Sequence, residues 1–251
     1  MENICAIVLA AGKGTRMGKG APKMLRKLLG KPLIFWTLDL IENLGLLKKT
    51  IVVIGYKAVL VERTIKKMGF NPIFVRQDEQ LGTAHSLQTG LVKVPKNTEH
   101  VLVLFSDDAV LYKTETIREF INDHITHGNN ATLLTHKTEG KLDIGGLKRD
   151  KRNEIVGVLT RQQLLENRDR KSEVLCGGFC FKKDWIEKML PQIKPSSVSG
   201  EYPLPGIISV AISNKQLVNS FNLENKDEWT SINSPVELSE AEDKKRKLLN
   251  L

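Results

Sequence analysis

Ile4 to Leu9 is an unbroken apolar run that ends on Gly12 and Gly14. A short run rich in aliphatic residues and closed by turn residues predicts a strand covered on both faces. Such a strand belongs in a parallel sheet sandwiched by helices. Thr50 to Ile54 and Val101 to Phe105 repeat the pattern. Helical spacing lies between these runs. Leu33, Trp36, Leu40, Ile41 and Leu44 share one face after Pro32, which suits a first-turn position. Ile117, Phe120, Ile121 and Ile125 do the same after Thr114. The alternation predicts an α/β fold, doubly wound, with a mainly parallel sheet and helices on both sides.

The second half is less regular. Ala131 to Thr135, Ile155 to Leu159 and Gly178 to Phe181 read as strands. Asp143 to Asn153 is rich in Gly, Lys and Arg and reads as a hairpin or mobile loop. Gly200 to Ala211 opens as a turn with two prolines and continues as an apolar helix. Pro235 to Leu251 reads as a charged amphipathic helix. No repeat or linker divides the chain, and 251 residues suit one large domain. We expect a first half over about 1–112, a second half over about 113–234 and a C-terminal helix over 235–251. The second half is expected to lie over the carboxyl ends of the strands, where ligands bind in such sheets.

Composition narrows the function classes. A net charge of +9 attracts polyanions, including nucleotides, nucleic acids and anionic lipids. No apolar run approaches the ~20 residues that span a bilayer, and Ile4 to Ala11 is too short for a signal peptide. The three cysteines form no CxxC pair, which argues against a disulfide framework and a structural zinc site. The expected location is cytoplasmic, with no membrane partner. Lys244 to Lys247 form a basic run that reads as a solvated helix end. The aromatic interleaving of single-strand binders is missing, so no nucleic-acid partner is expected. His124 and His127 sit at helical spacing and read as surface histidines.

Three stretches carry chemistry. The first is Leu9-Ala10-Ala11-Gly12-Lys13-Gly14-Thr15-Arg16-Met17, followed by Pro22-Lys23. Glycines after a buried strand let backbone N–H groups approach a phosphate chain, and Lys13, Arg16 and Lys23 can neutralise it. The P-loop spelling is absent, and Met17 stands where a dinucleotide fingerprint needs its third glycine. The second stretch runs from Gln77 to His85. Gly82 permits close backbone approach, Thr83 can cap the following helix, and the Gln77 amide suits a nucleobase edge. The third ends in Ser106-Asp107-Asp108. A carboxylate at the end of a buried parallel strand points into the ligand crevice, where it could hold Mg²⁺. Plain turns and helix caps are the competing readings of all three.

In this order and spacing the three stretches resemble the sugar-1-phosphate nucleotidyltransferases. The likeness continues in Gly200-Glu201-Tyr202 and in Ser231 to Leu238, and so covers nearly the whole chain. It is greatest toward the uridylyltransferase domain of the bifunctional N-acetylglucosamine-1-phosphate enzymes. Their C-terminal β-helix transfers acetyl groups, and the resemblance implies that this activity is missing here. It also implies a Rossmann-like nucleotide-diphospho-sugar transferase fold, with a nucleotide-binding first half and a sugar-binding elaboration in the second. The implied reaction transfers a nucleoside monophosphate, UMP from UTP, to a sugar 1-phosphate, with Mg²⁺ as cofactor and pyrophosphate released.

Carried over residue by residue, the nucleotide is lined by Leu9, Ala10, Ala11, Gly12, Lys13, Gly14, Thr15, Arg16 and Lys23. Gln77, Gln80, Gly82 and Thr83 surround the base, with Gln77 and Gly82 reading it. Asp107 and Asn233 ligate Mg²⁺, and Arg16, Lys23 and Asp107 form the catalytic set. His85 is a helix residue near the nucleotide. The implied acceptor residues are Ser106, Gly145, Thr160, Leu175 and Asn233. Four positions depart from the family on this side. Ser106 stands for a glycine, Thr160 for a glutamate, Leu175 for an asparagine and Gly206 for an aspartate. Leu175 cannot make an asparagine's hydrogen bonds, and a sugar site without its polar partner loses discrimination. We therefore expect an acceptor other than N-acetylglucosamine 1-phosphate. A cytidylyltransferase-like enzyme and a non-catalytic nucleotide- or sugar-phosphate-sensing domain remain the alternatives.

Overall fold

The computed structural model describes residues 3–14, 20–138, 146–159 and 172–251. The first half holds β1 (Ile4–Ala10), β2 (Lys27–Leu28), β3 (Lys31–Pro32), α1 (Leu33–Asn43), β4 (Thr50–Ile54), α2 (Ala58–Lys67), β5 (Ile73–Arg76), α3 (Thr83–Leu91) and β6 (His100–Phe105). The second holds α4 (Thr114–Thr126), β7 (Ala131–Thr138), β8 (Gly146–Arg149), β9 (Ile155–Leu159), β10 (Ser172–Lys182), α5 (Lys183–Met189), α6 (Ile207–Ser213), β11 (Asn219–Asn222) and α7 (Pro235–Leu248).

The main sheet has the order β11-β7-β10-β6-β1-β4-β5. β1 lies parallel to both β4 and β6, β4 to β5, and β7 to β11. Only β10 runs against its neighbours in this path, between β6 and β7. Every residue of β1 is buried, as its continuous apolar run predicts. Its side chains alternate between two layers. Ala6 and Val8 pack with Leu102 and Leu104 under α1, α2 and α4. Cys5, Ile7 and Leu9 pack with Val101 and Val103 under α3, α5 and α6. Both faces are therefore covered, and the fold is the expected Rossmann-like α/β arrangement.

The winding fixes where a ligand can sit. From β1 the chain moves outward through β4 to β5, then α3 returns it to β6 on the other side of β1. The crevice beyond the carboxyl ends of β1 and β6 is thus a topological switch point. The β8–β9 hairpin hangs on β10 through the Val174–Gly146 pair. This hairpin accounts for part of the predicted loop over Asp143 to Asn153, and residues 143–145 lie outside the described ones. α7 closes the fold by packing Ala241 into a cluster with Leu33 and Trp36 of α1, along with Leu28, Val110, Leu111 and Ile232.

Two surface expectations are overturned. His124 is fully buried, with Nδ1 2.8 Å from the Thr132 hydroxyl and Nε2 3.2 Å from Nδ1 of His100. His127 does lie at the surface. Lys245 is not a solvated member of its basic run. Its ammonium donates to the Val110 carbonyl at 2.8 Å and lies 4.5 Å from the centre of the Trp36 ring, and burial pushes its pKa down to about 8. The stem of a lysine covers apolar surface readily, which is how a charged helix face came to be buried.

Burial, with help from His100 and Lys182, pushes the His124 pKa down to about 4. The unfolded chain binds this proton near pH 6.5, so protonation favours unfolding. Stability should hold above pH 6.5 and fall between pH 6.5 and 4, by up to about 3 kcal/mol. Urea midpoints measured across that range should show the slope, and His124→Gln should flatten it.

Candidate active site

The switch-point crevice opens into a cleft of about 630 Å³, within the usual range for small-molecule sites. Three segments far apart in the sequence meet there. The first is the turn after β1. Gly14 has φ +64°, and a Cβ at that position would lie 2.4 Å from Cβ of Lys23. Only glycine lets the turn close against the short 3-10 helix Lys23–Leu25. Lys23 is thereby held over the end of β1. Thr15 and Arg16 lie outside the described residues.

The second segment follows β6. The Ser106 N–H donates to the Leu9 carbonyl at 3.2 Å, and the Thr37 hydroxyl donates to the Ser106 carbonyl at 3.1 Å. Ser106 is buried and lines the cleft, and the turn it anchors presents Asp107. Tyr112 fixes the far end of the same turn, its hydroxyl donating to the Cys176 carbonyl on β10. Leu175 is the neighbouring residue and also lines the cleft.

The third segment precedes α7. Ser234 caps this helix and accepts from the Glu237 N–H at 3.3 Å. The Glu237 carboxylate takes the Ser231 hydroxyl, the Ser234 hydroxyl at 2.9 Å and the Asn233 N–H at 2.8 Å. Burial alone would raise this carboxyl's pKa, but these three bonds and the Lys23 charge outweigh it and hold the pKa below the ordinary value. Glu237 therefore locks the backbone that carries Asn233. The Ser-x-x-Glu spacing of a capping box was the sequence signal for this role.

The three segments converge on one cation. The Lys23 ammonium forms an ion pair with Asp107 and donates to Oδ1 of Asn233 at 3.1 Å. Two oxygen donors aimed at a single ammonium form a donor set of the kind a hard divalent cation takes. Among the described residues no group of three or more His, Cys, Asp or Glu gathers for a metal. A site with one carboxylate and one amide oxygen fits an ion that fills its shell with phosphate oxygens and water.

The wall opposite the Lys23 turn is a loop pinned across the fold. Gly82 has φ +103°, and a Cβ there would lie 2.6 to 3.0 Å from the Tyr202 backbone. Tyr202 N–H donates to Leu81 O at 2.7 Å, and Ala84 N–H donates to Tyr202 O at 2.9 Å. The expectation that Thr83 caps α3 is not met. Gly82 occupies the cap position without a side-chain bond, and the Thr83 hydroxyl accepts from the Leu204 N–H at 2.8 Å. Gln77 is buried at the cleft, with Nε2 3.2 Å from the Gly82 carbonyl and 2.9 Å from Nδ1 of His85. Gln80 donates to the carbonyls of Gln77 and Asp78 at 3.2 and 3.3 Å and so tightens the loop. Leu9, Ala11, Gly12 and Lys13 also line the cleft, whereas Ala10 is buried behind it. Gly145 and Thr160 lie outside the described residues. Gly206 does not line the cleft, and a Cβ there would lie 2.9 Å from Cγ2 of Ile193.

The sequence matches the MobA-like NTP transferase domain over residues 6–196. The chain belongs to this family. Among NTP transferase relatives, the bifunctional protein GlmU of Thermoanaerobacter pseudethanolicus is 30% identical over 250 residues, covering 100% of this chain and 53% of that protein. GlmU of Clostridioides difficile is 31% identical over 248 residues, covering 99% and 53%. The chain spans about half the length of the curated relatives it matches. A Bacillus anthracis structure in complex with sucrose superposes with a TM-score of 0.79 at 17% identity, covering 97% of this chain and 95% of that one. A UDP-glucose pyrophosphorylase complexed with UDP-glucose gives 0.76 at 16% identity, covering 97% and 98%. These two likenesses establish the fold. Among the described residues no helix is long and apolar enough to cross a membrane.

Gly82→Ala should be among the costliest single changes in this NTP transferase domain. It combines a left-handed φ with a collision against backbone, and about 2 kcal/mol or more should be lost. Urea unfolding of the variant gives the number.

Proposed function

We propose that the chain is a sugar-1-phosphate nucleotidyltransferase that uses UTP and Mg²⁺. The observation that carries this reading is the meeting of Lys23, Asp107 and Asn233 at the switch point, with Lys23 and Asn233 210 residues apart. Resemblance to GlmU, a bifunctional protein, supports the reaction class.

In the proposed reaction an oxygen of the sugar 1-phosphate attacks the α-phosphorus of the nucleoside triphosphate. The bond from the α-phosphorus to its bridging oxygen breaks, and pyrophosphate leaves with the electron pair. The nucleophile is already an anion, so no general base is required. The protein's task is to align two mutually repelling groups and offset their charge. Lys23 and Lys13 supply positive charge from the β1 side of the cleft, and the proposed role of Arg16 belongs with them. The backbone N–H groups around Gly12 and Gly14, which line the cleft, would follow the phosphate chain. Asp107 and Asn233 would hold Mg²⁺, which when bound neutralises phosphate oxygens and stabilises charge during transfer. Glu237 keeps Asn233 in register with Asp107.

Gln77 supports uracil over cytosine. A carbonyl accepts only, so the Gln77 atom facing the Gly82 carbonyl must be nitrogen. Its oxygen remains as an acceptor for the ligand. The N3–H of uracil or thymine matches that acceptor, whereas N3 of cytosine is itself an acceptor. On the acceptor side Leu175 offers no hydrogen bond, which favours a sugar read there by packing and an acceptor other than N-acetylglucosamine 1-phosphate. Cys5, Cys176 and Cys180 are free and buried, compatible with a proposed cytoplasmic location.

Pyrophosphate release should be measured for four nucleoside triphosphates against a panel of sugar 1-phosphates and polyol phosphates, with Mg²⁺. UTP should support turnover, and CTP should fall at least about 100-fold below it. Asp107→Asn should lower kcat by about 100-fold or more while leaving the fold, read by circular dichroism, intact. Full turnover by this variant would sink the metal assignment. Silence with every pair would sink the transferase reading.

A further inference from the structure

Resting on that reading, we infer that Ser86 is a third base-binding residue, its hydroxyl donating to a ring carbonyl oxygen of the bound nucleobase. Ser86 is 3% exposed and lines the cleft beside Gln77 and Gly82. Its hydroxyl oxygen is buried and has no hydrogen-bond partner among the described residues. A serine inside a helix ordinarily satisfies itself on the carbonyl four residues back. Here that carbonyl belongs to Gly82, and it is already taken twice. The Ser86 N–H donates to it at 3.0 Å, and Nε2 of Gln77 donates at 3.2 Å. A carbonyl oxygen has two lone pairs, so the hydroxyl is shut out of its usual local partner.

An unmade buried hydrogen bond is costly in the free protein. Such a group is kept at a ligand cleft when the ligand completes it. The Gln77 and Gly82 pair that blocks Ser86 locally is the pair that faces the base. A serine has one side-chain torsion, so the hydroxyl can turn from the wall toward an arriving base at little cost. A hydroxyl also donates or accepts equally well, so it adds affinity for any pyrimidine without ranking keto over amino. Discrimination then stays with Gln77, and binding strength is shared with Ser86.

Ser86→Ala separates this role from a structural one because the two predict opposite signs. Without nucleotide, the variant should melt at the wild-type temperature or about 2 °C above it, since an unsatisfied group is gone. Its Kd for UTP, by titration calorimetry, should rise about tenfold. Its Kd for CTP should rise by the same factor, leaving the UTP/CTP ratio unchanged. A nucleotide-free Tm that falls, or a UTP affinity within twofold of wild type, overturns the inference and leaves the transferase reading in place. Wild-type protein that binds no nucleoside triphosphate overturns both.

Discussion

The Lys23 ammonium, held between Asp107 and Asn233, is the contact around which this cleft is organised. Each partner arrives on a different device. Gly14 makes room for Lys23, Ser106 and Tyr112 clamp the turn that bears Asp107, and Glu237 fixes the backbone of Asn233. A lysine facing a carboxylate in a partly buried cleft is far less screened than one at the surface. Misplacing Lys23 or Asp107 therefore leaves a charge without its counterpart at a site where water offers limited relief, and misplacing Asn233 removes an acceptor from the ammonium.

The loop over residues 81–84 shows a second economy. Residues 81–84 make no regular strand, yet they are stitched to Tyr202 and Leu204 as though by one rung of a sheet. Gly82 supplies the backbone angle that this approach needs. Inside the loop the Gly82 carbonyl serves both the helix and Gln77, which orients an amide that would otherwise be free to present either end.

The parts of the fold legible in the sequence were those whose residues had no alternative. β1, β4 and β6 are apolar apart from their opening residues Thr50 and His100, because both faces of a central parallel strand are covered. β5 and β11 went unread. β5 has exposed residues at both ends, and β11 is Asn219-Ser220-Phe221-Asn222, a strand made by backbone pairing with β7 and not by its own pattern. The site stretches were legible by spelling, but the contacts inside them were not. Local chemistry offered Thr83 as a cap, and a distant Leu204 N–H took its hydroxyl instead. Hydropathy placed His124 and Lys245 at the surface, because pattern counts charge and not partners. Thr132, on the strand that follows the helix of His124, and the Val110 carbonyl, 135 residues from Lys245, make their burial tolerable and are invisible to a helical count.

The separation of Lys23 from Asn233 has a consequence for the order of events during synthesis. A chain emerging from the ribosome can assemble β1, β4, β5 and β6 long before residue 233 exists. Such an intermediate has the cleft walls built on β1 and β6 and the Asp107 carboxylate, but not the amide oxygen or the Glu237 lock. In the proposed mechanism the site is complete only once α7 has docked. Assembly of the proposed site is thereby tied to synthesis of the chain through α7.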